Sequence, residues 1–167
     1  SLPKSFWYVV GIESMSQSDR LALCANSLID ERTFVVLDES DTCKNPTAIR
    51  TRRITEMSKR ARYRTIMTGT AVGEGIEDLF AQFFFLDWRI LGYKSFWSFA
   101  NKHLEYSEDH KGLVVARYGT DEIAKKIAPY VYQVRKEECL DLPERSYSSR
   151  YFSMSSDQRN LYDRAKE

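Results

Sequence analysis

Apolar and polar positions fall into two alternating patterns over the first half of the chain. Trp7-Tyr8-Val9-Val10-Gly11-Ile12 is an apolar, β-branched run and reads as a first buried strand. Thr33-Phe34-Val35-Val36-Leu37 reads as a second, and Arg64-Thr65-Ile66-Met67 as a third that ends at Thr68-Gly69-Thr70. Helical segments lie between them. Ser18-Asp19 can cap a helix running to about Asp30, with Leu21, Leu23, Leu28 and Ile29 available to pack. Asn45-Pro46 is suited to open another, with Ile49, Ile54 and Met57 as its buried stripe and its arginines outward. Residues 76–86 are apolar on most sides and predict a well-buried helix. Strands alternating with helices over short connections predict α/β layers with parallel strands.

Beyond Asp87 the pattern changes. Trp88, Tyr93, Phe96, Trp97 and Phe99 form an aromatic-rich stretch whose spacing suits a helix over residues 95–104 burying one face. Aromatic side chains near basic ones can also stack nucleobases, but core packing accounts better for this spacing. Residues 104–111 are polar, 113–117 predict a short strand, 121–128 a short helix stopping at Pro129, and 130–134 an extended segment. A last helix is expected from about Ser156.

The composition is that of a globular protein, with 43% hydrophobic and 29% charged residues in 167. No apolar stretch approaches the roughly 18 residues of a membrane span, so no membrane partner is expected. The first residues do not read as a signal peptide. The chain begins without Met and is expected to be an internal piece of a longer protein. Cys24, Cys43 and Cys139 show no paired ligand spacing and suit a reducing compartment. His103 and His110 read as surface or hydrogen-bonded histidines rather than metal ligands.

The net charge of +1 hides an asymmetry, because residues 44–64 hold eight basic side chains against Glu56 alone. Within that segment, Arg50, Arg52 and Arg53 are candidates for contact with a nucleic-acid backbone. A solvated helix face, or one meeting acidic residues of a partner, is the alternative.

The strongest chemical signal is the strand at 33–37 breaking off into Asp38-Glu39-Ser40-Asp41. Carboxylates at the carboxyl end of a parallel strand stand where such sheets bind ligands. One can hold hydrated Mg²⁺ and the next can orient water, as nucleotide hydrolysis requires. A solvated strand end would look the same in isolation.

The order of motifs resembles the first ATPase lobe of Swi/Snf-type DNA translocases, in helicase superfamily two. Tyr8 through Ser14 resembles the family's strand and Tyr-Glu-Ser/Thr-like turn, with Ile12 in place of an aromatic. Asp38-Glu39-Ser40-Asp41 resembles the metal-and-base motif and is followed by the Lys44-Asn45 pair. Thr68-Gly69-Thr70 resembles the next motif, and Ile76-Glu77-Asp78-Leu79 the leucine-rich helix after it. Arg135 and Lys136 ahead of Leu142-Pro143, then Gln158 and Tyr162, continue the series.

The resemblance implies a fold class: α/β, a partial RecA-like (P-loop NTPase type) parallel sheet flanked by helices, with a mainly helical appended subdomain. Residues 1–87 would be the C-terminal half of the first lobe, 88–144 the appended subdomain, and 145–167 a strand and helix leading to a second lobe of the same parent chain. Asp38 would hold Mg²⁺, Glu39 would position water against the γ-phosphate of ATP, and Thr68, Gly69, Thr70 and Asp41 would couple hydrolysis to nucleic-acid contact. Arg135 and Lys136 would meet phosphates or the interlobe linker, or simply lie on the surface. Double-stranded DNA is the implied partner.

The seven glycines include no Gly-x-x-x-x-Gly-Lys-Ser/Thr arrangement. The chain alone is therefore expected to bind ATP weakly and to hydrolyse none. Asp41 stands where the family usually has His, which resembles DEAD-box RNA-dependent ATPases, and Ala71 replaces the usual proline. Against that alternative, DEAD-box proteins usually carry Ser-Ala-Thr where this chain has Thr68-Gly69-Thr70. A non-catalytic nucleic-acid-binding module is a further alternative. The compact insert before Leu142-Pro143 points to a bacterial or phage source, hence a cytoplasmic location, or a nuclear one in a eukaryote.

Overall fold

Ser18 starts the first long helix as its residue type predicts: its side chain accepts the Leu21 N–H at 3.2 Å. In the computed structural model, which describes residues 6–134, 138 and 146–166, this helix is α2, Asp19–Leu28, preceded by the single turn α1, Ser14–Gln17. Strand β1, Phe34–Leu37, follows, then a 3-10 turn at Ser40–Cys43 and helix α3, Ile49–Ser58. Strand β2, Tyr63–Ile66, pairs with β1 in parallel, Phe34 opposite Tyr63 and Leu37 opposite Ile66. Helix α4, Glu77–Leu91, breaks at Asp87, whose backbone is extended and whose side chain caps the next turn by accepting the Arg89 N–H at 2.9 Å. Helix α5, Phe96–His103, is capped by Ser95. Strands β3, Leu104–Tyr106, and β4, Val114–Arg117, form an antiparallel pair, and helix α6, Thr120–Ile127, completes a unit ending at Val131. In the second unit, from Tyr132, helix α7, Ser156–Lys166, carries no buried residue.

The α/β class and the parallel pairing of 34–37 with 63–66 agree with the pattern of the sequence. Several features differ. Residues 7–12 belong to neither sheet, and Trp7 and Val9 are exposed. An apolar run becomes a strand only where a neighbouring strand offers its backbone groups. Among the described residues the parallel sheet therefore has two strands. Strand β1 is not covered on both faces: Leu37 is buried but Phe34 and Val36 are exposed.

Asn45-Pro46 does not begin α3 either. Asn45 Oδ1 accepts the Thr47 N–H at 2.9 Å, a local turn that delays the helix to Ile49. Thr51, Ile54 and Ser58 then form the buried stripe while Ile49 is exposed. On α2 the buried position is Ala25, with Ile29 just after the helix, whereas Leu21 and Leu23 are exposed.

Helix α4 separates two apolar clusters and supplies side chains to both. Phe85 packs with Met15, Leu37, Cys43 and Ile54 beside the parallel strands. Phe80, Phe83 and Leu91 pack with Phe99 and Ile123 from α5 and α6. The aromatic stretch is core, as its spacing predicts: Phe80 and Phe99 lie 5.4 Å apart, centroid to centroid. His103, buried at 1% exposure, donates from Nδ1 to the Tyr118 carbonyl and accepts the Tyr93 hydroxyl at Nε2, both at 2.8 Å. His110 is exposed.

Candidate active site

Both chemistry-bearing turns leave the carboxyl ends of neighbouring parallel strands, so the register of β1 and β2 brings them together. The Met67 N–H donates to the Leu37 carbonyl at 2.9 Å, and the Ser40 N–H donates to the Met67 carbonyl at 3.0 Å. Between these two bonds Asp38 and Glu39 stand out of the ladder, both exposed. Glu39 has φ 47° and ψ 54°, and among the described residues no other non-glycine has positive φ. Left-handed backbone costs a non-glycine residue on the order of 1 kcal/mol. It is held there by the following 3-10 turn, in which the Thr42 N–H and Oγ1 both donate to the Glu39 carbonyl at 3.0 and 2.8 Å.

One oxygen of Asp38, Oδ1, accepts the Glu39 N–H at 3.0 Å, which orients the carboxylate and leaves Oδ2 without a partner among the described residues. That suits a single carboxylate holding a water of hydrated Mg²⁺, an ion that keeps most of its waters and takes its other ligands from phosphates. Among the described residues no three His, Cys, Asp or Glu side chains converge into a metal cage.

Across the strand pair, Thr68 Oγ1 lies 3.5 Å from Asp41 Oδ1 and accepts the Thr70 N–H at 3.1 Å. Asp38, Glu39, Asp41, Thr68 and Thr70 thus share one edge of the sheet. Gly69 sits in an open turn. Its φ is not positive and a Cβ there would meet nothing within 4 Å, so the turn leaves open space without requiring glycine.

Four further residues brace these turns, the loop after them and α4; Lys44 and Asp78 fall within the motif series, Gln82 and Arg117 outside it. Gln82, 1% exposed, accepts the Ser40 hydroxyl at 2.7 Å and donates to the Ala71 and Asp78 carbonyls, each at 2.8 Å. Asp78 Oδ2 accepts the Gly73 and Glu74 N–H groups at 2.9 and 2.8 Å. Lys44 reaches Glu74 at 3.3 Å and Asp78 Oδ1 at 3.5 Å, and these carboxylates push its pKa up. Arg117 of β4 grips Glu77, with Nε 2.9 Å from Oε2, and holds the Glu77 carboxyl below the usual range. The Arg117 side chain lies against Gly75, where an added Cβ would fall within 2.0 Å of Nε, so a larger residue would have to displace the Arg117–Glu77 pair. For Gln82 the one visible signal is a lone amide inside the apolar 79–86 run.

The basic segment is partly neutralised within the protein. Arg50 pairs with Glu13 at 3.0 and 3.1 Å, and Arg53 pairs with Asp19 while donating to the Met15 carbonyl at 2.9 Å. Arg52 is exposed. Arg135 and Lys136 lie outside the described residues. No described helix is long and apolar enough to cross a membrane.

Comparison with known proteins places these features in context. The SNF2-related domain matches residues 11–167. The TATA-binding protein-associated factor BTAF1 of Arabidopsis thaliana is 30% identical over 136 residues, which is 78% of this chain and 7% of BTAF1. The chain thus spans about 7% of the length of that relative. No solved structure matches.

Proposed function

Because the chain belongs to the SNF2-related domain family of Swi/Snf-type ATPases, we propose that it is the part of an ATP-driven DNA translocase that holds Mg²⁺ and activates water. One observation carries this reading: Asp38-Glu39 and Thr68-Gly69-Thr70 leave the same edge of paired parallel strands, linked through the Met67 carbonyl. Strands β1 and β2 are then two strands of a RecA-like first lobe, and a second lobe of the same parent chain faces their carboxyl ends.

In this mechanism Asp38, oriented by the Glu39 N–H, would hold hydrated Mg²⁺ through its remaining oxygen. With Mg²⁺ bound there, the chemistry supplied would be charge neutralisation of the nucleotide's phosphates. Glu39, thrust out of the ladder by its left-handed backbone, accepts a proton from the attacking water and aims it in line with the γ-phosphate. Thr68 and Thr70 report nucleic-acid contact through Asp41 to the same turn. Double-stranded DNA is the proposed partner, with a nuclear location in a eukaryote or a cytoplasmic one in a bacterium.

A second reading, an RNA-dependent ATPase, is favoured by Asp41, which stands where the family usually has His and lies 3.5 Å from Thr68. The test is ATP hydrolysis by the full protein with duplex DNA, single-stranded DNA and RNA, beside Glu39→Gln. Stimulation by duplex DNA that vanishes in the variant is the expected result. Stimulation by RNA alone establishes the second reading, and no turnover with any polymer overturns both.

A further inference from the structure

We propose that Gln82 is a positioning residue that locks the 38–41 turn to the 68–75 loop, so that nucleic-acid contact at the loop is passed to Glu39. The inference rests on the functional reading above. Its geometry stands apart from that reading.

The Gln82 amide uses three of its four hydrogen-bonding positions inside the protein. Both N–H groups are spent on the Ala71 and Asp78 carbonyls, which can only accept, so the amide cannot flip. Its oxygen therefore faces Ser40, whose hydroxyl must donate. Ser40 is fully buried and lies 42 residues away in sequence. The link is thus long-range, and it joins the residue after Glu39 to the residue after Thr70.

Beyond the backbone bond of Ser40 to Met67, which precedes the loop, the other side-chain connections are weaker. Lys44 is 38% exposed at its side chain, and its pairs with Glu74 and Asp78 are open to screening by water and salt. The Thr68–Asp41 contact is stretched to 3.5 Å. A buried amide has no water to replace its partners, so displacing either segment leaves an unsatisfied group. Movement of the loop therefore carries Ser40, and with it the strained Glu39.

The test compares the full protein with Ser40→Ala, Gln82→Met and the double variant. Methionine keeps the volume and cannot donate, and Ser40→Ala removes one hydroxyl from a site that otherwise stays packed. The first readout is amide hydrogen exchange, which does not depend on activity. Ser40→Ala is expected to speed exchange within residues 68–75 about tenfold, as loss of one buried hydrogen bond dictates. Unchanged exchange there overturns the link.

The second readout is nucleic-acid-stimulated ATP turnover. Each single variant should lower stimulated kcat about tenfold with KM for ATP within about twofold, and the double variant should be no worse than Gln82→Met. Multiplying losses, or a loss appearing in KM alone, overturns the positioning role. If the unmodified protein turns over no ATP, the functional reading fails, and exchange alone then decides whether Gln82 joins the two segments.

Discussion

Asp78 offers the sharpest test of how the loop after Thr68-Gly69-Thr70 is held. Its side chain is 7% exposed, and a single oxygen accepts two backbone N–H groups, from Gly73 and Glu74. It also lies in the first turn of α4, where a negative charge meets the positive end of the helix dipole. Asp78→Asn keeps the shape and lets one oxygen serve both N–H groups, but turns two charge-assisted bonds into neutral ones. That difference is about 1 kcal/mol per bond. It also aims an NH₂ group at the Lys44 ammonium. Gly73 and Glu74 are themselves exposed, so water offsets part of the loss. The net cost is roughly 1–2 kcal/mol for Asn and roughly 2–4 kcal/mol for Ala, which abolishes both bonds.

Amide hydrogen exchange reads this locally, since each 1.4 kcal/mol or so of opening free energy is about a tenfold change in rate. The Gly73 and Glu74 amides should exchange about tenfold faster in Asp78→Asn and about a hundredfold faster in Asp78→Ala. Protection of β1 should stay within about threefold of the unmodified protein, because the lost bonds are confined to the loop. Rates at Gly73 and Glu74 unchanged in the alanine variant would refute the reasoning. So would acceleration spread evenly over β1 and α4, which would mean that Asp78 supports global rather than loop stability.

Three other outcomes are expected. Phe99→Ala removes a ring with no exposed surface from the cluster on α4 and should cost about 3–5 kcal/mol in urea unfolding; a loss under about 1 kcal/mol would mean the cluster repacks. Glu122 is held to about 2 by Lys126 and Lys102, below the ordinary 4.5, so its pairing stabilises the fold at neutral pH and is lost as pH falls towards 2. Glu122→Gln should accordingly lower the urea midpoint at pH 7, and the difference from the unmodified protein should vanish near pH 2. Arg52→Glu should weaken binding of duplex DNA and lower the salt slope by about one, whereas Arg53→Glu should lower thermal stability by breaking its bonds to Asp19 and Met15; equal effects on DNA binding would count against this division.

Elements with a chemical start or stop signal were legible in the residues. Ser18 and Ser95 cap α2 and α5 through their side chains, and the apolar 76–86 run became α4 because both of its sides meet core. Residues 7–12 were misread because apolar content reports that a segment can be buried, not that a strand waits beside it. Strand β3 went unseen since Glu105 and Tyr106 carry no apolar alternation; pairing with β4 makes them a strand. At the site, Asp38, Glu39, Thr68 and Thr70 were visible as local motifs. The bonds of Ser40 to Gln82 and of Glu77 to Arg117 join residues 42 and 40 positions apart, and no local pattern encodes them.

The polar residues of α4 follow the same logic as its apolar ones. Asp78 and Gln82 are spaced i, i+4 and share one face, and that face meets the 38–41 turn and the 68–75 loop. Phe85, nearly one turn further on, packs beside Leu37 beneath the same turns, while Phe80 and Phe83 face the second cluster. A helix made only of apolar residues would fill both cores equally well, but would leave the buried Ser40 hydroxyl without its partner. Desolvating such a group costs about 1–3 kcal/mol, more than burying a glutamine whose bonds are made. The amide within the apolar run is thus the arrangement that lets a core helix also hold a site, and its loss should be felt in loop order before it is felt in folding.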